Sequence, residues 1–147
     1  MKTSTKGIDL LKRYEGFSSK PYLCPANVWT IGYGSTRLAD GKAVTKDTPK
    51  ITYDEGTKLL EITLEQFERA VDAAVHVAVN QNQYDAMVSL CYNIGVGNFS
   101  KSTLIKLLNN GNSIAAAQEF LRWNKVKGKP ITGLTKRREE EMKLFLS

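Results

Sequence analysis

Few side chains in this sequence could carry out chemistry, and their types narrow the reactions to consider. The 147 residues include one histidine and two cysteines. A Ser-His-Asp or Cys-His mechanism would have to use His76, which lies in a plain helical stretch. Cys24 and Cys91 show no paired spacing, so we expect two free thiols rather than a zinc site or a disulfide. An enzyme with this sequence would therefore rely on carboxylates, hydroxyl groups and one thiol, with no metal or cofactor.

Glu15 is the carboxylate whose position is most informative. It follows Ile8 by seven residues and Leu11 by four, so on a helix the three share a face that is expected to be partly buried. It also falls in the last turn before Gly16, where the negative end of the helix dipole disfavours an ionised carboxylate. Burial acts in the same direction, so both effects favour a neutral, proton-donating side chain. Helix position alone nevertheless favours the alternative, in which Glu15 turns outward and pairs with a basic neighbour such as Lys12.

Hydrophobic periodicity and turn residues predict the elements that must position these groups. A short amphipathic helix of about 10 residues precedes Gly16, which is placed to end it in the left-handed conformation. Residues 17–45 mix β-favouring runs with proline and glycine, a pattern typical of a small hairpin-rich lobe. Helical stripes dominate residues 50–147. We therefore predict an α+β fold, mainly helical with a small N-terminal β-hairpin lobe, forming a single domain over residues 1–147.

Local signals predict several boundaries in the helical part. Thr52 and Glu55 fit a capping box at the start of one long helix, or of two shorter ones. Ser113 is expected to cap a later helix, and residues 128–133 are predicted to form a loop before the final helix.

Charge is distributed unevenly along the chain. Residues 1–50 contain nine Lys/Arg and four Asp/Glu, residues 51–99 contain two and seven, and residues 100–147 contain ten and four. The basic ends predict an acidic partner, which could be nucleic acid, an anionic membrane or an anionic polymer. No apolar run approaches the length needed to span a bilayer, and the polar residues 1–7 argue against a signal peptide.

Three ordered blocks of sequence resemble the phage-type lysozymes, the muramidase endolysins of tailed phages. In the first block, Glu15 is followed after eight residues by Cys24 and after five more by Thr30, which is the family spacing of glutamate, aspartate or cysteine, and threonine. The blocks as a whole comprise residues 13–17, 21–26 and 28–34; then 89–99 with 102–104; and finally Trp123, 133–134 and 137–141. The resemblance thus extends in order over nearly the whole chain.

The resemblance implies the phage lysozyme fold and hydrolysis of the β-1,4 bond between N-acetylmuramic acid and N-acetylglucosamine in peptidoglycan. Glu15 would protonate the leaving glycosidic oxygen, and Thr30 would hold a water on the other face of the sugar. Glycosidases usually require a second carboxylate, whereas this sequence has Cys24 in that place. A thiol is mostly protonated at neutral pH unless its pKa is lowered, and Lys20 and Arg37 are the nearby cations in sequence.

Cys24 could act as a thiolate base, as a nucleophile, or as a polar group that helps Thr30 to place the water. We favour assistance to water attack, and the structural alternative is a small buried hydrophobe. The resemblance also marks Tyr33, Tyr92 and Asn93 as candidate substrate contacts. Tyr92 could instead belong to a helix core and Asn93 to a helix-end cap.

The remaining candidates are expected to be structural. Cys91 and both tryptophans are interpreted as core, and His76 is given no chemistry. Ser35 departs from the histidine that many family members have after the Gly-Tyr-Gly stretch, and we assign it no catalytic role.

The expected partner is bacterial peptidoglycan, and the basic region 100–147 could also contact an anionic membrane surface. Two alternatives remain: a lytic transglycosylase acting on the same bond, and a non-catalytic cationic module that disrupts wall or membrane. A nucleic-acid partner is not expected, because no recognition motif accompanies the basic residues. A monomer is expected, because the sequence shows no large exposed apolar seam. The resemblance further implies that the protein accumulates in the host bacterial cytoplasm and reaches the wall after a separate membrane-permeabilising protein opens holes.

Overall fold

Seven α-helices and two small β-hairpins form the structure, a computed structural model that describes residues 1–147. The helices are α1 (Thr5–Glu15), α2 (Tyr53–Ala74), α3 (Gln81–Ile94), α4 (Val96–Ser100), α5 (Thr103–Asn109), α6 (Ser113–Glu119) and α7 (Thr132–Leu146). The strands are β1 (Ser18–Leu23), β2 (Trp29–Gly32), β3 (Lys125–Val126) and β4 (Lys129–Pro130), and a 3-10 helix covers Phe120–Arg122. The α+β fold predicted from the sequence is confirmed. None of the helices combines the length and hydropathy that crossing a bilayer requires.

The chain divides into two compact units, one of Ile8–Glu65 and one of Met1–Gly7 with Gln66–Ser147. Both strands of the first hairpin lie within the segment predicted as a β lobe. Assignment of the whole chain to one domain stays a prediction.

The unit Ile8–Glu65 is organised around the antiparallel pair of β1 and β2. Tyr22 faces Thr30 and Leu23 faces Trp29 across the two strands, with an irregularity in register between Ser18 and Tyr22. A small apolar core is formed by Ile31, Val44 and Leu59, with Trp29, Leu38 and Ile51 packed against it. The prediction that Trp29 belongs to the core is thereby confirmed.

Local chemistry fixes the ends of the two helices that enter this unit. α1 ends as predicted, because Gly16 has φ of +72° and its N–H donates to the carbonyl of Lys12 at 3.1 Å. α2 begins at the predicted capping box: the Thr52 N–H donates to Glu55 at 2.9 Å, and the Glu55 N–H donates to Thr52 Oγ1 at 3.2 Å. It continues for 22 residues, so one long helix forms rather than two.

The core of the other unit is built on α3, where eight consecutive residues, Tyr84 to Cys91, are buried. α7 packs against α3 and brings three charged residues into this interior. Glu141 lies 2.8 Å from Arg138 Nε and 3.2 Å from Arg137 Nε, and it accepts a hydrogen bond from Ser89 Oγ. Burial raises the pKa of Glu141, while the two guanidinium groups and the Ser89 hydroxyl oppose that shift.

Two predictions about the end of the chain are wrong. Residues 128–133 are not a loop, because β3 and β4 pair around Lys127 and Gly128, whose φ values of +50° and +80° fit a tight hairpin turn. Ser113 is not a cap either. Asn112 precedes it, and its side-chain oxygen accepts from the Ala115 N–H at 3.1 Å, so an equally good capping residue starts α6 one position earlier.

The buried cluster gives a prediction about stability. Arg138→Met should lower the free energy of unfolding by about 3–5 kcal/mol, because it leaves Glu141 buried with only one guanidinium partner. Urea denaturation followed by circular dichroism measures this change. Lys143→Met, at an exposed position of the same helix, should change it by less than about 0.5 kcal/mol. Equal effects of the two substitutions would show that the ion cluster does not stabilise the packing of α7 on α3.

Candidate active site

Glu15 is the last residue of α1 and is half-buried. The helix ends immediately after it, so the side chain starts where the unpaired carbonyls give the helix its partial negative charge. Lys12 and Arg13 occupy the same last turn. Glu15 is therefore held close to the protein surface without extending fully into solvent.

Cys24 and Thr30 are brought together by the turn that joins β1 to β2. The Cys24 N–H donates to the carbonyl of Val28 at 3.0 Å, and the Asn27 N–H donates to the carbonyl of Cys24 at 2.8 Å. Asn27 adopts φ of +59°, a left-handed conformation that asparagine tolerates better than most residues. This turn and the pairing of Tyr22 with Thr30 fix the thiol at a defined place relative to the Thr30 hydroxyl.

The environment of Cys24 favours ionisation of its thiol. Hydrogen bonds from the backbone N–H groups of Val28 and Ala26 lower the pKa of Cys24, partial desolvation opposes them, and a hydrogen bond with the Thr30 side chain lowers it further. The side chain is half-buried and free of any disulfide. The stabilisation comes from N–H and O–H dipoles and not from Lys20 or Arg37, which the sequence alone brings to attention.

Thr30 is 4% exposed, and its hydroxyl has two acceptors within reach. It donates to the carbonyl of Val28 at 2.9 Å, and it also forms a hydrogen bond with the Cys24 sulfur. One hydroxyl carries one proton, so donation to the thiolate competes with donation to the carbonyl. The oxygen can still accept a hydrogen bond in either arrangement, which is what placing a water requires.

Tyr22 is a site residue that the sequence analysis did not single out. It is the cross-strand partner of Thr30, it precedes Cys24 by two residues, and it is 39% exposed. Partial burial raises the pKa of Tyr22, and the negative charges of Glu15 and then Cys24 raise it further. The signal available in the sequence was its place two residues before Cys24, within a block that resembles the family.

Tyr33 lies inside its unit, with 7% of its surface exposed. Its ring centroid is 5.2 Å from that of Phe17, and Lys12 Nζ lies 5.5 Å from it. Burial raises the pKa of Tyr33, whereas a hydrogen bond with the Thr57 side chain lowers it. This packing supports the elements around Glu15. The sugar contact of Tyr33 stays a prediction, and the burial of the ring does not favour it.

Tyr92 and Asn93 lie near the end of α3 in the other compact unit. Tyr92 is half-buried and its ring packs edge-on against Phe67 at 5.1 Å, so it contributes to a helix interface. Asn93 is exposed and lines a groove of about 600 Å³ with Asn98, Arg122, Trp123 and Lys125, among others. Trp123, interpreted from sequence as core, is half-buried and faces this groove. The sugar contacts of Tyr92 and Asn93 stay predictions.

Cys91 and Ser35 have the structural roles expected from the sequence. Cys91 is fully buried, and burial raises its pKa to about 12. Ser35 is also fully buried, with its hydroxyl 3.0 Å from Thr63 Oγ1. The prediction that His76 lies in a helix is wrong, because α2 ends at Ala74 and His76 lies exposed just beyond it.

The chain is similar to proteins of known type over its full length. The family model described as phage lysozyme matches residues 12–141. An endolysin of Acyrthosiphon pisum secondary endosymbiont phage 1 is 42% identical, with 100% of this chain and 99% of the relative covered. An endolysin of Bacillus phage B103 is also 42% identical, but this chain spans only 55% of it. A crystal structure of a P22 lysozyme mutant superposes with a TM-score of 0.91 at 43% identity, covering 100% of this chain and 99% of the other.

The contacts of the Cys24 sulfur give a prediction about its reactivity. Alkylation by iodoacetamide requires the thiolate, so its rate rises as pH passes through the pKa of the thiol. Thr30→Val removes one hydrogen-bond donor to the sulfur and should move this rise to higher pH. Cys91 is buried in the native protein and should not react on the same timescale.

Thr36→Val is the matched control, since Thr36 is exposed on the same unit and has no part in the contacts of Cys24. Its alkylation profile should match that of the wild type. An unchanged profile for Thr30→Val would mean that the Thr30 hydroxyl does not stabilise the thiolate.

Proposed function

This chain belongs to the phage lysozyme family, and we propose that it is an endolysin that hydrolyses the β-1,4 bond between N-acetylmuramic acid and N-acetylglucosamine in peptidoglycan. One observation carries the assignment of residues. Thr30 is hydrogen-bonded to Cys24, so the hydroxyl and the thiol lie together, and the residue spacing shared with the family adds Glu15 to them.

Each group has a distinct role in the proposed reaction. Protonated Glu15 donates its proton to the glycosidic oxygen as the bond from that oxygen to the sugar carbon breaks. Thr30 accepts or donates a hydrogen bond to hold a water, whose oxygen bonds to the same carbon. The proton lost by that water passes to the Cys24 thiolate. One water is consumed, and Glu15 ends ionised while Cys24 ends as a thiol.

The thiol fits this role because of the contacts on its sulfur. A base must be ionised before it can take a proton from the attacking water, and the N–H groups of Val28 and Ala26 favour the thiolate without an adjacent cation. A group whose charged form is stabilised by preorganised dipoles needs little rearrangement during the reaction.

The proposed role of Glu15 predicts a loss of activity without a loss of fold. Glu15→Gln keeps the shape of the side chain but removes the transferable proton, so hydrolysis of purified peptidoglycan should fall by at least about 100-fold. Turbidity of a wall suspension measures the rate, and mass spectrometry identifies the fragments. Wild-type products should carry a free reducing end of muramic acid, whereas a lytic transglycosylase would release anhydro-muramic ends.

Glu61→Gln is the matched control, because Glu61 is an exposed carboxylate of the same unit and the substitution changes net charge equally. It should retain wild-type activity. Full activity of Glu15→Gln would overturn the catalytic assignment and would favour a module that disrupts cells by charge.

We also propose that the β3–β4 hairpin contacts anionic membrane surfaces. Lys125, Lys127 and Lys129 are exposed in this hairpin, and none forms an ion pair with an acidic residue. Val126 is 51% exposed and Ile131 is 42% exposed beside them. Cationic and apolar side chains side by side suit the boundary between lipid headgroups and acyl chains.

This surface gives a prediction about binding. Replacing Lys125, Lys127 and Lys129 with glutamate should weaken sedimentation with vesicles that contain anionic phosphatidylglycerol, because it reverses the charge of the hairpin. The matched control replaces Lys42, Lys46 and Lys50, which are also exposed, and lowers the net charge from +6 to zero in the same way. Equal loss of binding in both variants would show that net charge, not the hairpin, determines the attraction.

The cellular route is part of the same proposal. The chain accumulates in the cytoplasm of the host as a monomer and reaches the wall when a separate membrane protein permeabilises the inner membrane. The peptidoglycan substrate lies outside that membrane, so a route across it is required.

A further inference from the structure

Phe17 provides the first packed side chain after the candidate acid, Glu15. Gly16 separates the two residues, and it is exposed, with nothing within 4 Å of the position that a Cβ would take. Its φ of +72° ends α1 and turns the chain towards β1. Packing at this junction is therefore supplied by the partly buried ring of Phe17 and not by the residue next to the acid.

The Phe17 ring joins the end of α1 to the end of the strand that presents Thr30. Its centroid lies 5.2 Å from that of Tyr33, which directly follows β2 and is three residues beyond Thr30. Lys12 Nζ lies 5.5 Å from the centroid of the same Tyr33 ring. One residue that precedes Glu15 and one that follows it thus contact a single buried tyrosine.

Gly56 leaves the space that the Phe17 ring fills. It is buried as the fourth residue of α2, and its φ is not left-handed, so backbone conformation does not require glycine there. Alanine is also the better helix former. A Cβ at this position would lie 2.7 Å from Phe17 Cε1, 3.2 Å from Phe17 Cδ1 and 3.4 Å from Tyr33 Cε2. Nonbonded carbons normally stay about 3.5–4.0 Å apart, so alanine would push the ring away by most of an ångström.

The other side of the Phe17 ring is covered by Tyr53. The two ring centroids are 4.3 Å apart, with 33° between the planes. Phe17 is therefore enclosed by Tyr33, by Tyr53 and by the backbone of α2 at Gly56. A ring enclosed in this way has few alternative rotamers, so displacing it shifts the backbone of residue 17 and the end of α1 beside it.

We propose that Phe17 is a positioning residue for hydrolysis, and that glycine at position 56 allows its ring to set the place of the Glu15 carboxyl relative to the Thr30 hydroxyl. The inference rests on the proposed roles of Glu15 and Thr30. The acid has to reach the glycosidic oxygen while the water held by Thr30 reaches the sugar carbon, so the separation of the two groups must match the substrate. Phe17 fixes that separation by joining α1 to β2, without taking part in the chemistry.

Gly56→Ala tests this role, because it adds one methyl group against the Phe17 ring. We expect kcat on soluble peptidoglycan fragments to fall at least about tenfold, since a misplacement of about 1 Å at a reacting group can cost about 100-fold. KM should change less than about twofold. Circular dichroism and thermal unfolding should show a folded protein at the assay temperature. The alkylation profile of Cys24 should match the wild type, since neither Phe17 nor Gly56 contacts its sulfur.

A second substitution separates positioning from a general packing defect. Phe17→Leu removes the Cε1 atom that the new methyl group would meet, so adding it to Gly56→Ala should restore kcat to within about threefold of the wild type. Phe17→Leu alone should lower kcat, because it leaves the space beside Gly56 unfilled. Opposite effects of one substitution in the two backgrounds are expected of side chains in direct contact.

Gly133→Ala is the matched control. Gly133 is also in a helix, α7, and nothing lies within 4 Å of the position of an added Cβ. This variant should keep the wild-type kcat and KM.

The outcomes separate this inference from the proposed function. If Glu15→Gln is inactive and Gly56→Ala has the wild-type kcat, the inference about Phe17 is wrong while the catalytic assignment stands. Additive losses in the double variant would show that Gly56 does not act through Phe17, and a shifted Cys24 profile in Gly56→Ala would place the defect in the β1–β2 turn. Either result would also overturn the inference. If Glu15→Gln is fully active, the proposed function itself fails.

Discussion

The chemistry proposed for this protein depends on hydrogen bonds to the Cys24 sulfur. A thiol in place of a second carboxylate is useful as a base only if it can ionise, and no cation contributes to that here. The N–H groups of Val28 and Ala26 stabilise the thiolate instead, and they are available because the turn between β1 and β2 folds back over residue 24. This turn contains the left-handed Asn27 and leads into the buried Thr30.

The two candidate catalytic groups lie at the ends of different elements. Glu15 is the last residue of α1 and is half-buried. Cys24 directly follows β1, where the backbone N–H groups of Val28 and Ala26 lower the pKa of its thiol. Tyr22 lies on the strand between them in sequence, opposite Thr30.

The packing that supports the site involves side chains that take no part in the proposed reaction. Phe17, Tyr33 and Lys12 stack beside the end of α1, and an added Cβ on Gly56 would come within 2.7 Å of the Phe17 ring. In the other unit, the buried cluster of Glu141 with Arg137 and Arg138 on α7 contacts α3 through the hydroxyl and the carbonyl of Ser89. Such buried ion clusters help to orient the helices more than they add net stability, because the cost of desolvating the charged groups offsets much of their attraction.

The sequence by itself determined the fold class, the end of α1 at Gly16, the capping box at Thr52 and the order of Glu15, Cys24 and Thr30. Each depends on residues close together in the chain, or on motif spacing. Only the tertiary structure decided what surrounds the Cys24 sulfur, that Trp123 borders a groove, and that Tyr22 belongs to the site. Those facts depend on which strands pair and in what register, and on which side chains converge from distant positions. Local propensity and spacing carry no information about such convergence until the chain is folded.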